Sequence, residues 1–335
     1  MLGAVRHLGA RRLMVAGVLA VVAGTGVGVI GVDPDAPGTA SGAGSSPCGL
    51  ASASTIAGVD AAAARRIYAG ELHGTETRAD IGHITSSRAL LSALAGSNEG
   101  AVRSAVHALV YAPKWHIVRL RVIKAGRVIA DVGGPYIIAP VSGSLKWNGR
   151  TVGRYVMSVQ DDVGYVKLVT RFIGVPIDLY RSGSPLMGTL EPAPASASDG
   201  GPVSVGGRQY QAQVLNMQAF PSGSLRVALL VPRPSGSVTQ QSCMAVRVAA
   251  WGEVAKHVAG RFKPLPPHYQ DLVDVLRSTT GFPAYVTSGS RRVAGGAGPS
   301  RIPAYGTVSF GDRSWSVFSW EPSRRVRVYL LTPPR

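Results

Sequence analysis

The sequence predicts an α/β (α+β) fold: antiparallel sheets led by a long N-terminal helix, then a smaller C-terminal α/β unit that repeats part of the first. Two observations carry this. Eight residues recur without a gap about a hundred positions apart, VSVGGRQY at 203–210 and VSFGDRSW at 308–315, each followed by a basic-apolar strand ending in proline, LRVALLVP at 225–232 and VRVYLLTP at 326–333. Repetition on this scale marks a duplicated structural unit. The second observation is a change of hydrophobic period at His116, from about 3.6 to 2, which divides a helical stretch from a sheet.

At the N-terminus, Arg6, Arg11 and Arg12 precede an uncharged run at 13–32, and Asp33 and Asp35 follow it. At 1.5 Å per residue that run reaches about 30 Å, the thickness of a bilayer core. The basic flank stays in the cytoplasm, so residues 1–12 are expected there and everything after Asp33 outside. A signal peptide has the same polarity. A membrane anchor and a secreted, cleaved form therefore both stand, and the lack of an A-x-A site after Val32 favours the anchor. Ala16, Ala20, Gly24 and Gly28 recur every four residues, the small face through which membrane helices pack; this offers a contact for a homodimer, or else is the Ala, Gly and Val richness common in the apolar regions of signal peptides. Residues 33–49 (DPDAPGTASGAGSSP and onward) read as a flexible tether.

Ile56, Val59, Ala63 and Ile67 then form one stripe of a long helix. Ile81, Ile84, Leu90, Leu91 and Leu94 predict a second helical segment, and Asn98 caps a third that buries Val102, Val106, Leu109 and Val110. In HIVRLRVIKAGRVIADVGG, Val118, Leu120 and Val122 alternate with Arg119 and Arg121, and Ala125–Gly126 supplies a hairpin turn. SLKWNG and TVGRYVMSVQ extend the sheet. A helix capped by Asp161 and Asp162 is expected to bury Val163, Val166, Val169 and Phe172 or Ile173, stopping at Gly174 with Pro176 beyond. The later helix ending at Gly281 with Pro283 beyond has the same punctuation. The first copy is expected to complete the N-terminal sheet, and the chain to divide near Ser235. The predicted units are thus 50–235, a larger domain, and 236–335, a smaller repeat.

The helix beside a tether, the short helices and HIVRLRVIKAGRVIADVGG with TVGRYVMSVQDD resemble the Cache domains, PAS-like extracytoplasmic sensor modules of bacteria. The resemblance spans about 50–235 and implies an extracytoplasmic signal-transduction module that binds a small-molecule ligand. The Trp/Tyr/Arg/Asp signature of amino-acid-binding Cache domains is absent.

Lys plus Arg number 35 against 18 Asp plus Glu, a formal charge of +17. Outside the cytoplasm this excludes a genomic nucleic-acid partner and suits anionic envelope polymers or lipid headgroups, or else serves solubility. Cys48 and Cys243 are expected to form a disulfide in that oxidising compartment. No G-x-S-x-G, H-E-x-x-H or P-loop occurs, so no catalytic residue is named, and no metal or cofactor is expected.

Polar residues capable of holding a ligand gather around the first sheet. Arg119 and Arg121 share a strand face, Asp131 lies on the hairpin partner and Tyr136 follows it. Asp161, Asp162, Tyr165 and Lys167 lie where a strand meets a helix. Arg would hold a small carboxylate and Asp an ammonium; the opposing reading makes these residues a solvated sheet face, helix caps and core. The expected function is an exported, membrane-anchored sensor module, not an enzyme, that binds a small ligand or a partner protein. The alternative is a structural or adaptor protein of the envelope using its basic surface, with a hydrolase third.

Overall fold

The computed structural model describes residues 51–233, 242–262 and 268–334. The expected anchor at 13–32, its packing residues Ala16, Ala20, Gly24 and Gly28, the tether and Cys48 lie outside the described residues, as does the boundary near Ser235. No helix among the described residues is long and apolar enough to cross a membrane.

Helix α1 (Ala51–His73) buries Val59, Ala63 and Ile67 and half-buries Ile56. The next helical stretch is divided in two, α2 (Thr75–Ser86) and α3 (Arg88–Ala95). Ser87 between them is extended, and its hydroxyl accepts from the Leu90 N–H, which starts a new helix. Asn98 opens α4 (Glu99–Val110) in the same way, accepting from Ala101 N at 3.0 Å.

Strands β1 (Arg119–Lys124) and β2 (Arg127–Gly133) form a hairpin about Ala125 and Gly126, whose φ values of 49° and 78° give the turn the twist of its strands. With β3 (Pro140–Trp147) and β4 (Arg150–Ser158) they make an antiparallel sheet in the order β2-β1-β4-β3. Leu120, Val122, Leu145, Tyr155 and Met157 turn one face onto Leu90, Leu94, Val102 and Val106, a core separate from the rest of the molecule.

Helix α5 (Asp162–Ile173) begins at Asp161, whose carboxylate accepts from Gly164 N. It buries Tyr165, Val166, Val169 and Ile173. Val163, expected inside, is 42% exposed because the buried stripe runs 162-165-166-169-173 and leaves it on the opposite side. The chain reverses at Gly174, in the left-handed region at φ 84°.

Five strands follow: β5 (Ile177–Arg181), β6 (Ser184–Gly188), β7 (Pro202–Val205), β8 (Arg208–Gln218) and β9 (Ser224–Pro232). They do not complete the first sheet, as the sequence led us to expect. Each finds its partner among the others, in the order β6-β5-β9-β8-β7, and none of them pairs with β1–β4. After α6 (Cys243–Ala259) and α7 (Tyr269–Thr280) come β10 (Ala284–Ser288), β11 (Arg291–Ala294), β12 (Gly306–Phe310), β13 (Arg313–Ser323) and β14 (Val326–Thr332). Their order is β11-β10-β14-β13-β12, the same second-first-fifth-fourth-third arrangement.

The two sheets agree in register as well as order. The recurring eight residues are the same hairpin, with Val203 opposite Tyr210 and Val308 opposite Trp315. Leu179 faces Val227 as Val286 faces Val328, and Leu215 faces Val227 as Trp320 faces Val328. Val227 and Leu229 enter the central core, as do Val328 and Leu330. β9 ends at Pro232 and β14 just before Pro333, since proline has no N–H for a central ladder.

The duplication reaches back into the helices. A constant offset of 195 residues carries Ala57, Val59, Ala63 and Ala64 of α1 onto Gly252, Val254, Val258 and Ala259 of α6, all buried. Each copy is therefore a leading helix, a second helix and a five-stranded sheet, and the first copy contains an insertion from α2 to β4. The four helices of the copies lie in contact between the two sheets, α1 touching α6 and α7, and α5 touching α6. Those reciprocal contacts are those of a two-fold pair folded from one chain, and they make one continuous core. Each leading helix also covers the C-terminal turn of the other copy's second helix. The Arg66 guanidinium lies on Gly281, where a Cβ would stand 2.2 Å from its Cζ, and His257 lies on Gly174, 2.2 Å from the same virtual position.

Candidate functional site

The inserted sheet turns its second face toward the first copy, and this is where the sequence-predicted residues meet. Pairing across the four strands sets Ser142, Val156, Arg121 and Asp131 in one row, with Arg119 beside them. Arg119 clasps Asp131 with two bonds, Nε to Oδ1 at 3.0 Å and Nη2 to Oδ2 at 2.9 Å. Arg121 donates to the same Oδ2 from Nη2 at 2.6 Å and Nε at 3.1 Å. One carboxylate shared by two guanidiniums leaves the cluster with a net positive charge. Partial burial pushes the Asp131 carboxyl up, but the hydrogen bonds and charges of Arg119 and Arg121 outweigh it and hold it below the usual carboxylate range.

This face is only partly solvated. Phe220, fully buried in the β8–β9 connection, lies over both guanidiniums, its ring centre 4.4 Å from Arg119 Cζ and 5.6 Å from Arg121 Cζ. Its N–H donates to Ile137 O at 2.6 Å, which ties the connection to the segment after β2. Beside the cluster a recess of about 260 Å³ opens between Pro140, Ser142 and Val156 of the inserted sheet and Gln218, Pro221 and Gly223 of the first copy. Its polar groups are the hydroxyls of Ser142 and Ser222, the Gln218 amide and the main chain of the connection.

The remaining predicted residues divide. Tyr136 contributes its carbonyl, which accepts from Arg119 Nη1 at 3.2 Å, while its ring packs on Gly134. Asp161 is the cap of α5, and Asp162 accepts from Ile137 N at 3.0 Å, so the pair hold backbone. Burial raises the Asp162 carboxyl despite that bond. Tyr165 is fully buried, its hydroxyl donating to Met217 Sδ at 3.7 Å, and Lys167 is exposed on α5 away from the cluster. The structure thus joins Arg119, Arg121 and Asp131 and gives Asp161, Asp162 and Tyr165 structural work.

Residues not singled out from the sequence complete the site. Tyr68 on α1 donates to Gln218 O at 3.3 Å and meets the Tyr165 ring edge-on at 6.2 Å. Glu71, also on α1, accepts from Gln160 Nε2 at 3.3 Å, and burial with the nearby Glu76 charge raises its carboxyl to about 7. The recess is therefore wired to the last turns of α1. Only strand register brings Ser142 and Val156 into the row, and only folding brings Phe220 over it. Among the described residues no group of His, Cys, Asp or Glu is placed to hold a metal ion.

No family model and no curated protein matches the chain. Among solved structures it is similar to the periplasmic domain of LuxQ from Vibrio cholerae, at 9% identity over 55% of this chain and 100% of that one, with a TM-score of 0.33. It is also similar to the ligand-binding domain of the Pseudomonas fluorescens chemoreceptor CtaA in complex with L-alanine, at 15% identity over 52% of this chain and 95% of that one, with a TM-score of 0.30. At these identities and scores the likeness fixes neither a family nor a ligand nor a site.

Proposed function

We propose that the chain is an exported Cache-like sensor module, held at the membrane by residues 13–32, whose responsive element is the joint between the inserted sheet and the first copy. The observation that carries this reading is the recess next to the strand row that holds Arg121 and Asp131, bonded through Gln218 to Tyr68 of α1, with Phe220 lying over the neighbouring guanidiniums. A ligand there would be small and polar. The net positive cluster favours a carboxylate, and Ser142 and Gln218 offer orienting hydrogen bonds. Since α1 follows the tether directly, a shift of the joint would be passed toward the membrane. The basic, envelope-facing adaptor is the second reading, favoured by the excess of 35 basic over 18 acidic side chains.

A thermal-shift screen of the full chain against small carboxylates and amino acids tests this, because a ligand of the native state raises Tm. At least one compound should raise it, and Ser142→Phe, an exposed position whose new ring would fill the recess, should cancel the gain while leaving unliganded Tm nearly unchanged. A panel without any effect moves the assignment to the adaptor.

A further inference from the structure

We propose that the second copy carries a docking cleft for an acidic peptide segment of a partner protein, between the free edge of β13 and the loop before β12. The proposal rests on the difference between the two copies and is independent of the recess described above.

In the first copy the corresponding slot is filled by the chain itself. Asp199 reaches the edge of β8, its Oδ1 accepting from Val214 N at 2.9 Å and from Gln213 Nε2. The residues after it continue the ladder, Gly200 N to Ala212 O at 3.0 Å and Ala212 N to Gly201 O at 2.9 Å. Arg226 donates to Ala197 O and fastens the loop from below. The occupant of the slot is thus a short acidic strand, Ser198-Asp199-Gly200-Gly201.

The register of the repeated hairpin maps Asp199 onto Ala304, Gly200 onto Tyr305, Val214 onto Ser319 and Arg226 onto Arg327. The carboxylate is missing. The Ser319 hydroxyl instead donates to Ala304 O at 2.6 Å, and Arg327 turns to Glu321, with Nε 3.1 Å from Oε1. The ladder with β12 stops at Gly306 opposite Val317, so the edge of β13 runs on past it without a strand partner. The loop stands off and leaves a cleft of about 380 Å³, walled by Tyr305, Phe318 and Trp320, with Tyr305 84% exposed.

The surroundings select the charge of the guest. Glu321, the acidic residue of the lining, is already neutralised by Arg327. Arg324 and Arg325 stand exposed on the β13–β14 hairpin, and Arg291 on the β10–β11 hairpin joined to it by Gly289 N to Arg325 O at 2.7 Å. An incoming carboxylate placed where Asp199 sits in the first copy would meet the Ser319 N–H under this positive rim, and the flanking main chain would extend the sheet as an added strand.

The test is fluorescence anisotropy of the full chain with a labelled, end-blocked peptide containing Ser-Asp-Gly-Gly. Saturable binding is expected. Asn in place of the peptide Asp should weaken it about ten- to a hundredfold, the weight of one charge-assisted hydrogen bond. Ala304→Asp, which restores the carboxylate of the first copy, should abolish peptide binding while Tm holds or rises. Arg291→Glu together with Arg324→Glu, at exposed hairpin positions, should weaken binding without filling the cleft. Absence of saturable binding overturns the proposal, as does binding indifferent to both the Asn peptide and the arginine variant. Free acetate or aspartate competing at the concentrations of the peptide would make this a small-acid site and overturn the peptide assignment.

Discussion

The two copies share strand order, register and helix punctuation, yet each has been finished differently at its edges. In the first, Asp199 zips the loop onto β8, and the β8–β9 connection carries Phe220, which seals against the inserted sheet. In the second, Ala304 leaves the β13 edge open, and the β13–β14 hairpin carries Arg324 and Arg325 into solvent. Their inner faces, by contrast, are alike: Leu179, Val227 and Leu229 on one side of the helices, Val286, Val328 and Leu330 on the other, all fully buried. Positions facing the shared helix layer are constrained by packing from both copies, while the hairpin ends and the loop between second and third strands are free to acquire contacts.

The largest effect is expected at the disulfide. In a two-fold pair, a residue can touch its own counterpart only near the axis. The offset of 195 that superposes α1 on α6 also carries Cys48 onto Cys243, at the start of α6. Cys48 lies outside the described residues, and a bridge between these counterparts is the expectation to be tested. Non-reducing peptide mapping should find one linked pair, and Cys243→Ser should lower stability by up to about 5 kcal/mol on the chain-entropy account of so long a loop. Two freely alkylated thiols would remove the disulfide and the axis argument built on it.

A second difference lies inside the helix layer. Asp60 of α1 is 4% exposed with Oδ2 lacking a partner, whereas the same offset places Ala255 in α6. Burial raises its carboxyl from 3.8 to about 8. The folded state therefore binds this proton more tightly than the unfolded chain does. Its contribution is fully present below pH 4, declines as pH rises through the window from 4 to 8, and is lost above it. Asp60→Ala, which makes the first copy like the second, should flatten that decline and raise stability at pH 8 by about 1–3 kcal/mol, the cost of an unsatisfied buried polar group. Equal urea midpoints for the two proteins at pH 8 would show that Asp60 is solvated by a route the packing does not reveal.

Much of this fold was legible because repetition and period are local properties. VSVGGRQY and VSFGDRSW gave the same hairpin, and the G-x-P punctuation after α5 and α7 gave the same left-handed turn. The antiparallel order of the second sheet follows the first strand by strand. What escaped was set by partners distant in sequence. The assignment of β5–β9 to the first sheet failed because nothing local says which edge a strand will choose. Val163 was placed inside because a valine run fits more than one helical stripe. At the site, Arg119, Arg121 and Asp131 were accessible from strand alternation alone, whereas Phe220 arrives from a connection a hundred residues later. Asp161 and Asp162 illustrate the converse: carboxylates at a helix start satisfy backbone N–H groups first, and only a surplus is left for a ligand.

The smallest expected effect concerns the caps exchanged between copies. Arg66 on α1 covers Gly281 of α7, and His257 on α6 covers Gly174 of α5. The two are not at equivalent positions: the offset of 195 places His257 over Ala62, one helical turn before Arg66. Both nonetheless bring a basic side chain to the negative end of a helix in the other copy. Both glycines also have positive φ, 84° at Gly174 and 76° at Gly281, which a side chain would resist apart from the collision with the cap. Arg66→Ala should cost about 0.3–1 kcal/mol as a helix-end charge, and His257→Ala no more than that. If each cap serves only its own helix end, the double variant should lose the sum of the two, since the sites share no partner. A loss well beyond that sum in chemical denaturation would mean that the two ends move together, and that the helix layer responds as one element when either copy is disturbed.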